Sequence, residues 1–289
     1  MSKTEEHNIT TKVPEISVMM CAYNAQRYIR KAIDSVLCQT FDDFEFIIID
    51  DGSTDSTAEI IRRYDDPRIQ LVMCKHDYIS SLNMGLRKCR GKYIARTDAD
   101  DIILPTRLQE QMELMNQYPE ISVCFSWGTT FGSIEESMGH CAKGKINNAY
   151  FWLVTGNFLM HPTALIRHDF LLENKIHYKR YPYAEDYKLW ADISFCGGQF
   201  YVIPKPLIRY RISPYQVSRL HHDEQRCSRL RIQQEIVEEL LKRLEHPQKS
   251  LIKRFYGTLL RLNSVQILQG DEVITTMYKA LRRTKFFVK

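Results

Sequence analysis

The sequence predicts an α/β fold: a doubly wound, mainly parallel sheet with a smaller mixed subdomain and a C-terminal helical extension. In the first half of the chain, apolar runs of strand length alternate with segments of helical spacing. Such alternation implies parallel strands joined by right-handed crossover helices. The pattern becomes irregular after residue 127, and from residue 221 it is helical for most of its length.

Four strand and helix pairs make up the regular part. Each predicted strand is a short apolar run, and each predicted helix repeats apolar residues every three or four positions. The strands are expected at 16–22, 44–50, 68–73 and 92–96, and the helices at 25–39, 53–64, 79–90 and 104–118. Ser53 or Thr54 is placed to cap the second helix. Pro105 suits the first turn of the fourth helix.

The second half is less regular. Its mixed, glycine-containing segments up to about residue 160 predict an antiparallel or irregular subdomain. Further strands are expected at 121–127, 163–167 and 199–203, with a helix at 184–196. The predicted organisation is a tail at 1–14, a main domain at 15–220 with halves 15–127 and 128–220, and a helical extension at 221–289.

Composition narrows the class of protein. A chain of 289 residues can bury a large core. No apolar run approaches the roughly 20 residues that span a bilayer, and the N-terminus has no apolar signal region, so a cytoplasmic location is expected. The eight cysteines form no CxxC pair, which favours reduced structural thiols over a disulfide framework.

The net charge of +5 is unevenly distributed. From residue 242 onward eleven basic residues stand against three acids, a net +8, so the rest of the chain is near −3. The basic extension could be a helical cap on the main domain or a contact with an anionic membrane surface. Nucleic-acid binding is not predicted, because no recognisable nucleic-acid module accompanies the charge.

Two acidic clusters follow predicted strands. Asp50 and Asp51 end the second strand, and Asp98, Asp100 and Asp101 follow the fourth. Ligands of doubly wound sheets bind at this edge. Crowded carboxylates raise one another's pKa unless a cation compensates, and oxygen ligands favour Mg2+ or Mn2+. A nucleoside-diphosphate site is therefore predicted. Solvated acidic loops that only cap the next helix are the alternative.

The sequence resembles the family 2 inverting glycosyltransferases, which have the GT-A fold. The similarity covers roughly residues 15–220 and lies in five stretches in matching order: "ISVMMCAYNAQRYIRKAIDSVLCQTFDDFEFIIIDDGSTDST", "SLNMGLRKCRGKYIARTDADDIILPTRL", "HPTALIR", "AEDYKLW" and "KPLIRYRISPYQVSR". The resemblance implies a nucleotide-binding half, an acceptor half and transfer of a sugar from a nucleoside-diphosphate donor.

The resemblance also implies donor and metal roles for particular residues. Asp51 would recognise the nucleotide base, and Cys21 and Tyr23 would line the same pocket. The family's Asp-x-Asp element corresponds to Asp98 and Asp100, which would hold Mn2+ or Mg2+, with Asp98 also near the ribose. The cation would neutralise charge on the departing diphosphate.

The family's catalytic base corresponds to Asp186, with Glu185 beside it. An inverting transfer needs one carboxylate within hydrogen-bond reach of the acceptor hydroxyl. An aromatic loop with Tyr181 and Tyr183 precedes the pair and suits packing on sugars. A carboxylate that only favours the helix N-terminus is the alternative.

Three basic residues are candidate acceptor or phosphate contacts: His161, Arg209 and Arg211. Each also has a structural alternative, as a packing histidine or as exposed arginines. The chain departs from the family at Lys75 and Asp77, which stand where relatives usually carry Asn and Gly.

Transfer of one sugar, without processive addition, is the predicted activity. The processive membrane relatives carry Gln-x-x-Arg-Trp, whereas residues 216–220 end in Leu220. The donor is expected to be a UDP-sugar, and the acceptor a hydroxyl of a glycan or lipid-linked glycan in surface-polysaccharide synthesis, at the inner face of the membrane. A metal-dependent phosphotransferase and a non-catalytic nucleotide-sugar or glycan-binding protein are the alternatives.

Overall fold

The computed structural model describes residues 12–133, 142–213, 220–243 and 248–282. The predicted tail up to residue 11, Cys141, the segment 216–219 and the last seven residues lie outside this description. The strands are β1 (Ile16–Ala22), β2 (Phe44–Asp50), β3 (Ile69–Met73), β4 (Tyr93–Asp98), β5 (Ile102–Ile103), β6 (Ile121–Gly132), β7 (Gly144–Ile146), β8 (Leu165–Arg167) and β9 (Gln199–Ile212).

Ten α-helices lie within the described residues. They are α1 (Ile29–Leu37), α2 (Thr57–Arg62), α3 (Tyr78–Lys88), α4 (Arg107–Gln117), α5 (Ala149–Thr155), α6 (His168–Glu173), α7 (Glu185–Phe195), α8 (His222–Arg243), α9 (Gln248–Ser264) and α10 (Gly270–Arg282). A short 3-10 helix at His161–Thr163 precedes β8.

The strands form one mixed sheet in the order β3-β2-β1-β4-β8-β6-β9-β5, with β7 beside β9. Strands β1 to β4 pair in parallel, as the alternating pattern predicts, and β8 runs antiparallel between β4 and β6. Every residue of β1 and β2 is buried, so helices must cover both faces. The predicted α/β class with a mainly parallel sheet is confirmed.

Alternate side chains of each strand enter two separate cores. Met20 and Ile48 pack with α1, α2 and α4 on one face of the sheet. Met19 and Ile49 pack with α3, α7 and α8 on the other face. The period of two along a strand therefore divides one apolar run between two helix layers.

The second half is more regular than the sequence predicts. Strand β6 continues to Gly132 and β9 to Ile212, and the two pair in parallel along their length. The sequence predicted strands that end at 127 and 203, and Pro204 and Pro206 argue locally against continuing the second one. The prolines lie where the pairing of β9 with β6 shifts register beside Trp127, so the strand continues past a bulge.

The predicted helix caps were wrong. Helix α2 begins at Thr57, whose N–H donates to Asp55 at 2.9 Å. Ser53 and Thr54 instead bond to Asn24, which ties the loop after β2 to the loop after β1. Pro105 lies before the N-cap of α4, so it is not in the first turn of that helix.

The C-terminal helices pack against the main domain. Ile232 and Ile236 of α8 are fully buried in the core that contains α5 and α7. The side chain of Gln233 donates to the carbonyl of Val154 at 2.8 Å, and Arg243 donates to that of Phe195 at 2.8 Å. The helical-cap alternative matches this packing, and a membrane contact stays a prediction.

Two further expectations concern membrane-spanning segments and the state of the cysteines. No helix in the described part of the chain is long and apolar enough to cross a membrane. The seven described cysteines are all free thiols, four of them at least partly buried: Cys21, Cys74, Cys89 and Cys124.

We predict that Gly91→Ala destabilises the fold. A Cβ at Gly91 would lie 2.5 Å from the backbone nitrogen of Ser17 and 2.7 Å from the carbonyl carbon of Ile16. Backbone atoms of a central strand cannot move away cheaply, so a loss of about 1–3 kcal/mol in the free energy of unfolding is expected in urea titrations. The control is Gly257→Ala in α9. A Cβ added there would have no atom of the described residues within 4 Å, apart from its chain neighbours and the backbone of its own helix. That change should raise stability by up to about 1 kcal/mol, and equal effects of the two changes would contradict the prediction.

Candidate active site

The ends of the parallel strands place the first site residues together. Pairing of β1 with β4 sets Cys21 opposite Asp98, and pairing of β1 with β2 sets Ala22 opposite Asp50. These positions form the C-terminal edge of the sheet, where doubly wound folds bind ligands. Asp50 and Asp98 therefore lie at the sheet edge where the sequence predicted them.

A buried arginine lies at the centre of this edge. Arg96 of β4 is 1% exposed, forms an ion pair with Asp98, and donates to the hydroxyl of Tyr78 at 3.0 Å. Its Nε has no hydrogen-bond partner among the described residues. Burial works against the charged form, but Asp98 and Tyr78 outweigh it and raise the pKa of Arg96. Arg96 is thus a permanent cation inside the site.

The acidic loop after β4 is fixed by β9. The backbone N–H of Arg211 donates to Asp101 Oδ1 at 2.8 Å, and Arg211 Nε donates to the carbonyl of Asp100 at 2.9 Å. Asp101 Oδ2 is buried and has no partner in the described chain. Burial and the charge of Asp98 raise the pKa of Asp100 to about 6. Neither Asp100 nor Asp101 caps α4, so the helix-cap alternative is wrong here.

Glu185 and Asp186 begin α7 and reach the same electrostatic neighbourhood. Asp186 Oδ1 accepts the N–H of Tyr187 at 2.7 Å, and its Oδ2 accepts from the Asn157 amide at 2.8 Å. Burial raises the pKa of Asp186 to about 6 against these hydrogen bonds and the Arg96 charge. Burial and the Asp186 charge raise the pKa of Glu185 to about 7.

These pKa shifts show that carboxyl groups from separate elements converge. The charge of Arg96 acts on Asp100, Glu185 and Asp186, although the first follows β4 and the others begin α7. Burial raises the pKa of Cys21, on which Arg96, Asp51 and Asp98 also act. The charge of Asp98 also acts on Glu185 and Asp186, so the acidic loop after β4 and the start of α7 lie within electrostatic range of each other.

Asp51 is bound by three protein groups. Its Oδ1 accepts from the N–H of Asp77 at 2.9 Å and from the hydroxyl of Ser81 at 2.6 Å. Its Oδ2 lies 2.9 Å from Nδ1 of His76, whose ring stacks on Tyr23 with centroids 4.1 Å apart. The His76 side chain is 57% exposed, so it is the partner that can leave most easily. Asp77 also caps α3, which explains its place in this loop.

A cavity of about 420 Å3 adjoins Asp186. Its walls come from the loop after α5, the first turn of α7 and the first turns of α8. Polar and charged lining residues include Asn157, Tyr183, Gln225 and Arg226. The cavity has room for a sugar-sized group beside the Asp186 carboxylate.

The three candidate basic contacts have different surroundings. His161 is 8% exposed, and its Nε2 lies 2.8 Å from the hydroxyl of Tyr178, with Trp190 beside the ring. This surrounding is that of a packing histidine, and burial lowers its pKa. Arg209 lies over the ring of Phe131, and Arg211 anchors the acidic loop. Contacts with acceptor or phosphate stay predictions for all three.

Sequence reasoning missed Arg96, His76 and the arginines of α8. A charged residue inside the otherwise apolar stretch "YIAR" was a usable signal for Arg96. His76 carried no comparable signal, because its importance comes from stacking on Tyr23 across the fold. Arg226 reaches the cavity only through the packing of the extension, which the sequence left open.

The acidic loop is compatible with a divalent cation. In the described chain no three Asp, Glu, His or Cys side chains form a ready-made metal site. A cation that also binds substrate phosphates needs only one or two protein carboxylates. Burial and the charge of Asp98 raise the pKa of Asp100, and a bound cation would offset both effects by favouring the charged carboxylate. The donor set therefore fits Mg2+ or Mn2+.

We predict that Glu185→Gln stabilises the metal-free protein at pH 8 but not at pH 4. A carboxyl group whose pKa is raised to about 7 keeps its proton in the folded chain while the unfolded chain releases it. Stability is therefore lost as pH rises from about 4 to 7, and the neutral amide avoids that loss. A gain of roughly 2–3 kcal/mol is expected from urea titrations with EDTA. Exposed Glu173→Gln is the control, and a pH-independent effect of Glu185→Gln would contradict the prediction.

Comparisons with known proteins agree with this geometry. Residues 17–174 match the family described as Glycosyl transferase family 2. The chain is 33% identical over 243 residues to an uncharacterized glycosyltransferase of Haemophilus influenzae, covering 77% of this chain and 73% of that one. It is 31% identical over 184 residues to the O-antigen biosynthesis glycosyltransferase WbnJ of Escherichia coli, covering 62% and 71%.

Solved structures show the same fold. TarS of S. aureus in complex with UDP has a TM-score of 0.64 at 20% identity, covering 89% of this chain and 74% of that one. The mannosyltransferase PcManGT of Pyrobaculum calidifontis, in complex with GDP-Man and Mn2+, has a TM-score of 0.60 at 16% identity, covering 96% and 77%. The fold is GT-A, and the chain belongs to glycosyltransferase family 2.

Proposed function

We propose that this glycosyltransferase moves a single sugar, with inversion, from a nucleoside-diphosphate donor to a hydroxyl of a glycan or lipid-linked acceptor. The observation that carries the proposal is the convergence of Asp98, Asp100 and Asp186 around Arg96, with Asp186 also lining a cavity. A direct displacement requires a base within hydrogen-bond reach of the acceptor hydroxyl, on the face of the sugar opposite the leaving diphosphate.

Asp186 is the proposed general base. With a pKa of about 6 it is ionised near neutral pH yet remains basic enough to accept a proton. The acceptor oxygen forms a bond to the anomeric carbon, the bond from that carbon to the diphosphate oxygen breaks, and the acceptor proton passes to Asp186. Asn157 holds the carboxylate through its 2.8 Å hydrogen bond. Glu185, with its pKa of about 7, is a proton reservoir beside it.

Asp98 and Asp100 are the residues that would hold Mn2+ or Mg2+. When bound, the cation neutralises charge on the leaving diphosphate. Arg96 orients Asp98 through their ion pair, and Arg211 fixes the Asp100 carbonyl. The chain thus positions its metal-binding carboxylates from two strands.

Donor recognition is assigned to Asp51, Tyr23 and Cys21. Tyr23 is 47% exposed and offers a ring on which a base can stack. In the structure, His76 stacks on the Tyr23 ring and contacts Asp51 Oδ2. A nucleotide base that bonds to Asp51 would displace the His76 side chain from both contacts. A UDP-sugar is favoured because the fold is similar to that of TarS, which was solved with UDP.

The acceptor belongs, by this proposal, to surface-polysaccharide synthesis. The similarity to an O-antigen biosynthesis enzyme supports that class. The proposed location at the inner face of the membrane is supported by the basic extension, whose net charge from residue 242 onward is +8.

We predict that nucleotide binding depends on a divalent cation and on Asp100. UDP with Mn2+ should raise the melting temperature by several degrees, since ligand at 100 times its Kd adds about 2.7 kcal/mol. Asp100→Asn should remove most of the Mn2+-dependent part. Exposed Asp169→Asn is the control and should behave as the wild type. Indifference of the wild type to metal and to UDP-, GDP- and dTDP-sugars alike would refute the assignment.

We predict that Asp186→Asn lowers donor hydrolysis by roughly 100-fold to 10,000-fold, because the amide cannot accept the proton. Hydrolysis to water needs no known acceptor, so it can be measured with the best-bound nucleotide sugar and Mn2+. The wild-type rate should fall about tenfold per pH unit below about 6, where Asp186 becomes protonated.

With Mn2+ kept saturating at every pH, so that Asp100 stays ionised, the residual rate of the Asp186→Asn protein should lack this acid limb. UDP binding by the variant separates lost chemistry from lost folding. A variant that hydrolyses donor at the wild-type rate would remove Asp186 from the reaction.

A further inference from the structure

We propose that Arg226 and Arg229 form a subsite for an anionic group of the acceptor, a phosphate or a carboxylate. The inference rests on the proposed function, because it takes the cavity beside Asp186 to be the acceptor side. It adds the chemical class of the acceptor, which the family assignment leaves open.

The cavity separates this subsite from the donor residues. Among the described residues, its lining includes Asp186, Arg226 and Arg229 but not Asp98 or Asp100. Asp186 is therefore the proposed site carboxylate that shares the cavity with the two arginines. A group bound at the two arginines would lie on the acceptor side of the proposed base.

The two arginines are held as a pair. They lie three residues apart on α8 and therefore on one face of that helix. Asp271, in the first turn of α10, accepts from Arg226 at 2.9 Å and from Arg229 at 3.1 Å. One carboxylate thus orients two guanidinium groups and leaves an excess positive charge in the wall.

Both arginines retain surface that a ligand can reach. Their side chains are 42% and 44% exposed, although each already donates to Asp271. The planar fork of guanidinium matches phosphate and carboxylate oxygens. The carboxylate of Asp271 already binds both guanidinium groups, which shows that the two arginines are placed to bind an anion together.

The two arginines also offset the negative charge that an anionic acceptor would meet near Asp186. The carboxylates of Glu185, Asp186 and Asp98 would repel a negatively charged substrate, and the charges of Asp186 and Asp98 add to burial in raising the pKa of Glu185. A neutral acceptor would not need arginines in the cavity wall. Opposite charges across a cleft set substrate choice and orientation.

The test is an isothermal titration calorimetry experiment on the full chain with UDP and Mn2+ saturating the donor site. The probes are N-acetylglucosamine 1-phosphate, glucuronic acid and the neutral methyl N-acetylglucosaminide. We expect at least one anionic probe to bind tenfold or more tightly than the neutral one. A preference for the sugar phosphate identifies phosphate as the recognised group, and a preference for glucuronic acid identifies carboxylate. Equal binding of all three probes, or binding of none, overturns the proposal.

Substitutions test whether Arg226 and Arg229 cause the preference for anionic probes. The double change Arg226→Gln and Arg229→Gln should abolish it. Asp271→Asn breaks the same ion pairs but removes the competing carboxylate, so it should tighten anion binding several-fold. Arg231→Gln is the matched control on the same helix, outside the cavity, and should keep the preference. A purely structural ion-pair network predicts instead that the Asp271 and arginine variants both lose stability with no change in selectivity, and that result overturns the subsite.

UDP binding to the same wild-type sample separates the two failures. Loss of the anion preference with UDP bound refutes only the subsite. If UDP does not bind with Mn2+, the proposed function fails, and the three probes titrated without nucleotide still decide whether the arginines select anions.

Discussion

The ion pair between Arg96 and Asp98 is the interaction on which the site depends. Arg96 and Asp98 are two positions apart on β4, so their side chains project from the same face of the sheet. The guanidinium is almost completely buried, and burying a charge without a partner costs several kcal/mol. The carboxyl groups nearby therefore compensate Arg96, and Arg96 in turn allows acids to lie close together in a buried place. Each requires the other, and strand β4 supplies both.

The compensation is incomplete, and the incompleteness suits catalysis. One guanidinium faces the carboxyl groups of Asp100, Glu185 and Asp186 as well as that of Asp98, so burial and mutual repulsion keep the first three pKa values high. In the free protein, bound protons neutralise part of the negative charge of these carboxyl groups. In the proposed reaction, a divalent cation or the proton from the acceptor would neutralise it. Burial raises these pKa values most, and the nearby carboxylates add to the shifts, so a bound cation would lower them again.

The parts of the fold that the sequence predicted are those set by local pattern. Uninterrupted apolar runs identified β1 and β2, and the strand-end aspartates located the site edge, because parallel strands bring their C-terminal ends together. The length of β9 was not predictable, since Pro204 and Pro206 argue locally against a strand that pairing with β6 nevertheless forms. Contacts between distant segments were also hidden. The stacking of His76 on Tyr23 and the pairing of Arg226 with Asp271 arise only after the helices pack.

The division between matched and unmatched segments has a chemical meaning. The family match at 17–174 contains Asp51, Asp98 and Asp100, which would serve any nucleoside-diphosphate sugar. Asp186 follows it on α7, and the wall opposite Asp186 comes from α8, far outside the match. Gln225 donates to the Tyr183 carbonyl at 2.9 Å, which ties that wall to the loop preceding the base. By the proposed assignment, donor binding therefore belongs to the sheet edge within the family match, and acceptor choice belongs to α7 and α8 outside it.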